Sequence, residues 1–417
     1  MRRWYRSGTA FVGLALVASL VAACGGGTTS GSGGPTGQSY CIGTDFPVSG
    51  TDGTEGLPAE HGADLAIAQA KLPNSNTLKV VNFDDAVNGA HNATQGATNV
   101  TTMIGNSCIL AMVGPFNSGV AGAEIPIATA AGLGMISPAN TNPGLTKQQY
   151  AQQYGYDFAK MHPSGKPEAY FRVPTTDDVQ GAVDAQLALA AGFKKAYVID
   201  DSESYGKGLA DFFTQNFTSG GGATAGRDSI TANNTAQFSS LVTKMAATSP
   251  DLVFFGGVTS GGGAALRAAM SAGSMASIPM YGGDGIAQDP SFVSIAGASA
   301  ANGTVGTVAA PDIAGLTSSA AQSFASAFQA KYNAQAIAYS VNSYDAANIE
   351  IKAISDIISS GQTPTRALVL AKIAGTSYDG ITGHISFDAN GDNAGAKVLS
   401  VYKVTGGSWV FVKQVNG

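Results

Sequence analysis

Charged side chains are scarce in this 417-residue sequence: they make up 12% of it, about half the usual share in soluble proteins. Lys and Arg number 22 against 28 Asp and Glu, which gives a formal net charge of −6. No segment supplies the basic stripe that nucleic acids require, so we expect no nucleic-acid partner. Because 44% of the residues are hydrophobic, the sequence is also not that of a largely disordered chain.

Long hydrophobic runs are nearly absent as well. The sequence has a single one, at the N-terminus, so a polytopic membrane protein is excluded. Three early arginines precede an apolar stretch at 10–23 that ends in VAAC. The pattern predicts a lipoprotein signal peptide over 1–23, cleaved before Cys24, whose thiol carries the lipid. An uncleaved membrane anchor is the alternative. Gly, Ser and Thr dominate 24–39, which predicts a flexible tether to a body held at the outer side of the cell membrane, in the periplasm or at the cell surface.

Two further cysteines, Cys41 and Cys108, each begin a strand-like run. If the two strands are parallel neighbours, both thiols lie at the same edge of the sheet, and a disulfide is geometrically reasonable. An extracytoplasmic compartment would favour that bond. Two buried free thiols are the alternative.

Catalytic motifs are missing too. The four histidines have no metal-ligand spacing, and neither a G-x-S-x-G elbow nor a P-loop occurs. A glycine run at 256–263 resembles a dinucleotide loop, but Leu266 stands where its third glycine belongs. The run DANGD at 388–392 is better explained as a turn than as a calcium loop. We therefore expect no enzyme, no cofactor and no metal.

Short apolar segments alternate with amphipathic ones through most of the chain. The predicted strands are 41–48, 78–83, 108–114, 134–137 and 170–173, followed by 196–200, 252–255 and 279–281. Helical periodicity marks the segments between them, among them 57–72, 118–132, 205–217 and 237–247. This alternation predicts βαβ units, and therefore two α/β lobes with parallel sheets and one cleft between them. The end of the chain, at 384–387, 398–404 and 409–412, has the pattern of an antiparallel meander.

Seven separated segments resemble, in order, those of the Leu/Ile/Val-binding family of periplasmic binding proteins. They are IGTDFPVSGTDGTEGLPAEHGADLAI, VGPFNSGVAGAEIPIATAAGLGMISPANTNPGLT, YFRVPTTDDVQG, DDSESYGKGLADFF, PMYGGDGI, SYDAAN and ITGHISFDANGD. The resemblance runs from about residue 41 to 415. It implies the type I fold, with two doubly wound lobes joined by three crossovers. Lobe 1 would comprise 40–174 and 311–379, and lobe 2 would comprise 175–310 and 380–417.

The resemblance also implies a function. Such a protein captures a branched-chain or related amino acid in the cleft between its lobes and delivers it to the permease of an ABC transporter. Its association with the membrane would be through the lipid anchor alone.

The residues expected at the ligand follow from the physics of an amino acid and from the family pattern. A helix N-terminus with a hydroxyl suits the carboxylate, an acidic side chain suits the ammonium, and parallel strands bind ligands beyond their carboxyl ends. From lobe 1, the resemblance implies Phe116, Asn117, Ser118, Ala139, Asn140 and Thr141. It implies Tyr205, Val258, Asp284, Gly285 and Tyr344 around the rest of the ligand, with Asp284 at the ammonium. The alternatives are a helix cap for Ser118, a turn residue for Asp284 and lobe packing for the tyrosines.

Two positions depart from the family pattern. Glu55 and Val258 stand where close relatives have aromatic residues, so the pocket is expected to be less apolar and larger. Glu55 favours a second interpretation, a receptor for amides, urea-like compounds or aromatic acids on the same fold. An enzyme on this scaffold and a structural surface lipoprotein are two further alternatives.

Overall fold

The computed structural model of the protein describes residues 34–231 and 235–417. Five parallel strands form its first sheet. The strands of this part are β1 (Ser39–Phe46), β2 (Thr77–Asp84), β3 (Ala86–Val87), β4 (Ala90–His91), β5 (Ile109–Val113), β6 (Gly134–Ser137) and β7 (Tyr170–Arg172). The sheet order is β2-β1-β5-β6-β7, and β3 pairs with β4 in a separate ribbon. The predicted signal peptide, Cys24 and most of the predicted tether lie outside the described residues.

Helices cover both faces of this sheet. They are α1 (Gly53–Gln69), α2 (Ala93–Gly105), α3 (Ser118–Ala131), α4 (Gln148–Ala151) and α5 (Phe158–Met161). Neighbouring residues of β1 point to opposite faces, so that Ile42 packs in a core with α1 while Cys41 packs in another with α2 and α3. Asn92 begins α2 by accepting a hydrogen bond from the backbone N–H of Gln95 at 2.9 Å.

Cys41 and Cys108 are joined in a disulfide, with their Cα atoms 5.1 Å apart. Cys41 lies in β1, and Cys108 immediately precedes β5, the parallel neighbour of β1. The backbone N–H of Cys41 also donates to the carbonyl of Cys108 at 2.8 Å. The bond therefore closes a loop that contains β2 and α2 within the first lobe.

The second sheet is built from the middle and the end of the chain. Its middle part consists of α6 (Asp177–Ala190), β8 (Lys195–Asp200), α7 (Ser204–Ser219), β9 (Ala223–Ser229), α8 (Phe238–Ala247), β10 (Leu252–Gly256), α9 (Gly263–Ala272), β11 (Met280–Gly282), α10 (Pro290–Ala296), α11 (Ala298–Ala301) and β12 (Val305–Val308). The strands β8 to β12 pair in parallel. The edge strand β9 was not predicted, because its sequence ATAGRDS is polar and has no buried face.

The last quarter of the chain first returns to lobe 1 and then to lobe 2. It contains α12 (Ser319–Tyr332), α13 (Ala338–Ser359), α14 (Arg366–Ala374), β13 (Ser377–Gly380), β14 (Gly383–Ser386), β15 (Val398–Thr405) and β16 (Ser408–Asn416). Residues of α13 and α14 share the core of α1 and β1. The strands β15 and β16 are antiparallel and complete the order β16-β15-β12-β11-β10-β8-β9.

The predicted meander is wrong in one strand. β14 does not pair with β15 but forms a hairpin with β13. The carboxylate of Asp345 in α13 holds this hairpin by accepting the backbone N–H groups of Ile381 at 2.9 Å and Thr382 at 2.8 Å. The hairpin therefore packs on lobe 1, whereas the boundary expected at 380 would have cut through it.

Three crossovers, at 173–176, 309–318 and 387–397, connect the lobes. The expected α/β class with two doubly wound parallel-sheet lobes and three crossovers is confirmed. In both lobes the carboxyl ends of the inner parallel strands lead into the loops that carry the expected ligand residues. Among the helices of the described residues, none combines the length and apolarity needed to cross a bilayer.

Candidate functional site

The first loop of the site follows β5 and leads into α3. Ser118 is the first residue of α3, and its Oγ atom accepts the backbone N–H of Asn142 at 3.3 Å. Because that bond uses the hydroxyl as acceptor, its proton remains available for an anion. The neighbouring Asn117 has a buried Oδ1 atom without a hydrogen-bond partner among the described residues. No side chain caps α3, so a capping role for Ser118 has no support in this geometry.

An apolar surface borders this loop. The ring of Phe116 meets the ring of Tyr339 edge-on, with centroids 5.6 Å apart, and lies 6.4 Å from the ring of Phe46. Phe116 thus stands next to the cleft, at the place where a hydrophobic ligand contact was expected.

The second loop of lobe 1 follows β6. Ser137 accepts the backbone N–H of Asn140 at 2.9 Å, and the side-chain amide of Asn140 donates to the carbonyl of Phe116 at 2.7 Å. Asn140 therefore ties the two loops together. Ala139 is buried beside it. The hydroxyl of Thr141 is buried and has no partner within hydrogen-bond distance among the described residues, so it can turn to the nearby Asp177, whose pKa it lowers, or to a ligand.

Arg172, at the end of β7, supports the second loop from behind. It is fully buried and donates to the carbonyl oxygens of Asn142 at 2.8 Å and Asn140 at 3.4 Å. Its Nε atom donates to the carboxylate of Asp392 at 2.6 Å. Asp392 belongs to the third crossover, so one side chain connects a ligand loop with a hinge. Sequence reasoning missed this residue, although the charged Arg172 in an apolar strand is a signal for a buried ion pair.

The acidic side of the site lies in lobe 2. Asp284 follows β11, is 7% exposed, and its Oδ1 atom accepts the hydroxyl of Tyr205 at 2.9 Å. The same hydroxyl accepts the backbone N–H of Gly285 at 3.1 Å. Burial raises the pKa of Asp284, while hydrogen bonds from Tyr339, Gln180 and Tyr205 lower it. These neutral donors orient the carboxylate but supply no positive charge.

Tyr339, which sequence reasoning missed, completes the pair of hydroxyls on Asp284. It lies in the first turn of α13 and donates to the Oδ2 atom of Asp284 at 2.9 Å. Tyr344 lies five residues further, about 140° around the helix, and therefore faces elsewhere. Its hydroxyl donates to Gln69 at 2.8 Å, and its ring packs against Phe324 in the body of lobe 1. The structure thus does not bring Tyr344 to the other site residues.

Val258 and Gly285 form a tight floor in lobe 2. The backbone N–H of Val258 donates to the buried carboxylate of Asp201 at 2.9 Å. A Cβ atom on Gly285 would lie 2.5 Å from the carbonyl oxygen of Gly257 and 2.9 Å from a methyl group of Val258. A side chain at position 285 would therefore displace the loop that carries Asp284.

Two more carboxyls join Asp284 at the cleft. Glu55, in the first turn of α1, is 7% exposed, and no described residue donates a hydrogen bond to its carboxyl. Burial raises the pKa of Glu55 well above its ordinary value, and the charges of Asp289, Asp284 and Asp52 raise it further.

Asp177, at the start of α6, is the other carboxyl. It is fully buried, and both of its oxygens lack a hydrogen-bond partner among the described residues. Its backbone N–H donates to the carbonyl of Thr141 at 2.9 Å, which places it beside the lobe 1 loop. Burial raises the pKa of Asp177 well above the usual range, and the charge of Asp284 adds to that rise, while the nearby Thr141 hydroxyl and the charge of Arg172 oppose it.

Direct contacts between the lobes bring these loops together. Asn142 of lobe 1 donates to the carbonyl of Ser204 at 2.6 Å, and the hydroxyl of Tyr156 donates to the Oγ atom of Ser204 at 2.7 Å. At the other side of the cleft, the hydroxyl of Thr54 donates to the carboxylate of Asp289 at 2.7 Å. The lobes are therefore closed on each other around the site.

One further contact between the lobes involves a histidine. The imidazole of His91 lies between the carboxylates of Asp52, at 2.7 Å, and Glu203 of lobe 2, at 2.8 Å. Burial lowers the pKa of His91, but its hydrogen bonds to Asp52 and Glu203 outweigh burial and hold that pKa well above its ordinary value. A protonated His91 therefore favours the closed arrangement.

The family model described as periplasmic binding protein matches residues 39–408. The chain belongs to the periplasmic binding protein family. The expectation drawn from the sequence segments is thereby confirmed at the level of the family. A transport protein of this kind is not a member of an enzyme family.

Two Leu/Ile/Val-binding relatives are similar to this chain over most of its length. The Leu/Ile/Val-binding protein BraC3 of Rhizobium johnstonii is 29% identical over 371 residues, covering 88% of this chain and 92% of that relative. The Leu/Ile/Val-binding protein homolog 3 of Brucella melitensis is 30% identical over 355 residues, covering 84% and 88%.

Solved structures have the same fold. The branched-chain amino acid transporter substrate binding protein LivJ of Streptococcus pneumoniae, in complex with isoleucine, has a TM-score of 0.75 at 23% identity and covers 91% of this chain and 100% of its own. A solute binding protein of an ABC transporter from R. palustris, in complex with benzoate, has a TM-score of 0.69 at 21% identity and covers 90% and 96%. At such identities the likeness shows the type I fold.

Proposed function

We propose that this periplasmic binding protein captures an α-amino acid between its lobes and delivers it to the permease of an ABC transporter. The observation that carries the proposal is the buried carboxylate of Asp284 in lobe 2, which two tyrosine hydroxyls orient, together with the hydroxyls that Ser118 and Thr141 contribute from lobe 1. An acid on one side and neutral donors on the other match the ammonium and the carboxylate of an amino acid zwitterion.

The electrostatics of lobe 1 support the carboxylate end. Ser118 begins α3, where unpaired backbone N–H groups and the helix dipole favour an anion. The buried, unpartnered hydroxyl of Thr141 adds a second donor. Its position is fixed because Arg172 binds the carbonyls on either side of it. These groups are pre-oriented, which reduces the entropy cost of binding.

Closure of the lobes would be the signal that the permease recognises. The contacts of Asn142 with Ser204 and of Thr54 with Asp289 form only when the lobes meet. Rotation about the three crossovers would make and break them, as in hinge closure around a ligand. The closed form would then present surfaces of both lobes to one partner.

Anchoring at the membrane is part of the proposal. The arginines, the apolar stretch and VAAC at the N-terminus support lipidation of Cys24 outside the cytoplasm. Cys24→Ala should release the protein from membranes into the soluble fraction of its host. Full retention of that variant in the membrane fraction would contradict the lipid anchor.

The ammonium contact gives the sharpest test of ligand class. Calorimetry should compare leucine with its deaminated analogue, 4-methylpentanoic acid, on the whole chain in mild detergent. A charge-assisted hydrogen bond contributes about 1.5–3 kcal/mol, so we expect leucine to bind at least about tenfold more tightly. Asp284→Asn should remove most of that preference, while Ser118→Ala should weaken both ligands alike.

A second candidate function follows from Glu55, which makes the pocket more polar than that of a branched-chain binder. The protein would then bind amides, urea-like compounds or aromatic acids. Equal binding of leucine and the deaminated acid, together with tighter binding of benzoate or acetamide, would favour this function and refute the first.

A further inference from the structure

We infer that the bound amino acid carries a second cation at the end of its side chain, so that the ligand class is the basic amino acids. This inference rests on the proposed function and specifies its ligand. It starts from Glu55, a buried carboxyl of lobe 1 that faces the acidic loop of lobe 2.

The position of Glu55 is unusual for a charged side chain. It is 7% exposed, and no hydrogen bond or ion pair from a described residue reaches its carboxyl. The carboxyl oxygens of Glu55 are not fully enclosed, but a ligand that covers them must supply hydrogen bonds, since an unpartnered buried carboxylate is costly. A ligand group that donates hydrogen bonds at this point would remove that cost.

Of the three carboxyls whose charges act on Glu55, Asp52 is paired with His91, whereas Asp284 and Asp289 are not compensated by cations. The Oδ1 atom of Asp289 accepts the hydroxyl of Thr54 at 2.7 Å and the backbone N–H of Ser291 at 2.7 Å. Asp284 accepts two tyrosine hydroxyls. None of the ion pairs in the described part of the chain includes Glu55, Asp284 or Asp289. The donors that reach the two aspartates are neutral.

The number of charges then distinguishes between ligand classes. A branched-chain amino acid brings one positive charge, which Asp284 binds. Asp177, beside the Thr141 loop, is a further fully buried carboxyl with both oxygens unpartnered among the described residues. One ammonium near Asp284 leaves the acid at the opposite wall, Glu55, without a counter-charge. A lysine, ornithine or arginine side chain supplies it.

The electrostatics of lobe closure also favour a ligand with a second cationic group. Glu55 belongs to lobe 1, whereas Asp284 and Asp289 belong to lobe 2, so closure without a cation costs either repulsion between like charges or protonation of Glu55. A cation between them turns this repulsion into attraction on both sides. The protein would then close on an amino acid with two cationic groups and discriminate against ligands with an apolar side chain.

The family resemblance implies more space for a side chain at two positions of the cleft. By that resemblance Glu55 and Val258 replace aromatic residues, and both are smaller than tyrosine. The side chain of the ligand would extend from its ammonium at Asp284 toward Glu55. Phe116 and Tyr339 would cover the methylene groups of that side chain.

The test is a calorimetric comparison of matched pairs on the whole chain in mild detergent at neutral pH. Lysine is compared with norleucine, which has the same butyl chain without the amine, and arginine is compared with its neutral analogue citrulline. We expect the cationic member of at least one pair to bind at least about tenfold more tightly. Glu55→Gln should reduce that ratio to about one.

A matched control separates the site from general electrostatics. Asp379→Asn also removes one negative charge, but at an exposed position on the β13–β14 hairpin, and should leave every ratio unchanged. If norleucine binds as well as lysine and citrulline as well as arginine, the inference is overturned and the proposed function stands. Preference for citrulline over arginine would also overturn it, because a protonated Glu55 would then hold a neutral polar group. If no α-amino acid binds, the proposed function fails, and the inference fails with it.

Discussion

Arg172 offers the strongest perturbation of the ligand loop without touching the ligand. Arg172→Met removes a fully buried guanidinium and leaves Asp392, which is 6% exposed, without its cation. Breaking a buried pair from one side costs about 3–5 kcal/mol, and we expect a loss of stability of that size. The loss of the bonds to the carbonyls of Asn140 and Asn142 should also loosen the loop that carries Thr141. Ligand affinity should therefore fall together with stability.

Urea unfolding followed by circular dichroism measures the change in stability, and calorimetry measures the change in affinity. Arg366→Met is the matched control, because Arg366 also donates to backbone carbonyls but has no carboxylate partner among the described residues. The control should lose only about 1 kcal/mol. Adding Asp392→Leu to Arg172→Met should restore part of the loss, since no buried charge then remains unpaired. A loss below about 1 kcal/mol in Arg172→Met, or no recovery in the double variant, would refute the reasoning.

Three further predictions concern other parts of the structure. Tyr339→Phe should weaken amino acid binding about fivefold or more in calorimetry, whereas Tyr344→Phe should not change it; the reverse order would show that the site is misassigned. Because contact with Glu203 helps to hold the pKa of His91 above its ordinary value in the closed form, affinity should be greatest when the imidazole is protonated and should fall as pH rises through that raised pKa. His91→Gln should flatten this alkaline fall, and an unchanged pH profile of the variant would contradict the mechanism. Replacing Cys41 and its disulfide partner by serine should lower the free energy of unfolding by about 4 kcal/mol in the chain-entropy account, measured in urea without reductant; an unchanged midpoint would show that the bond does not form.

The sequence was sufficient for the alternation of strands and helices, because buried parallel strands are short apolar runs that periodicity detects. It failed where an element lacks such a run. The edge strand β9 is polar on both faces, and β14 has one buried residue, Ile385, to indicate its partner. The partner of β14 is set by Asp345 of α13, a contact between residues 36 or more positions apart. Local patterns carry no information about such contacts.

Sequence analysis predicted those site residues whose role follows from their position in the backbone. Ser118 and Asp284 directly follow strands, and the ends of parallel strands in a doubly wound sheet meet at the cleft. Which tyrosine reaches the site depends instead on where each one lies around the axis of α13. Both Tyr339 and Tyr344 lie in that helix, and the one in its first turn reaches Asp284. Asp177 was missed because an acidic residue at the start of a helix is ordinarily explained by the helix dipole.

The close approach of α1 and α13 has a consequence for how the chain is made. A Cβ atom at Gly62 of α1 would lie 2.0 Å from the carbonyl oxygen of Ser340, and the Ser340 hydroxyl donates to the carbonyl of Pro58 at 2.7 Å. The residues that cover α1 are therefore synthesised almost three hundred positions after it, a separation longer than a typical domain. During export, the first lobe would keep an apolar helix face exposed until nearly the entire chain had emerged. Lobe 2 lacks β15 and β16 until later still, so neither lobe can be completed before the end of the chain is available, and the two lobes would mature together.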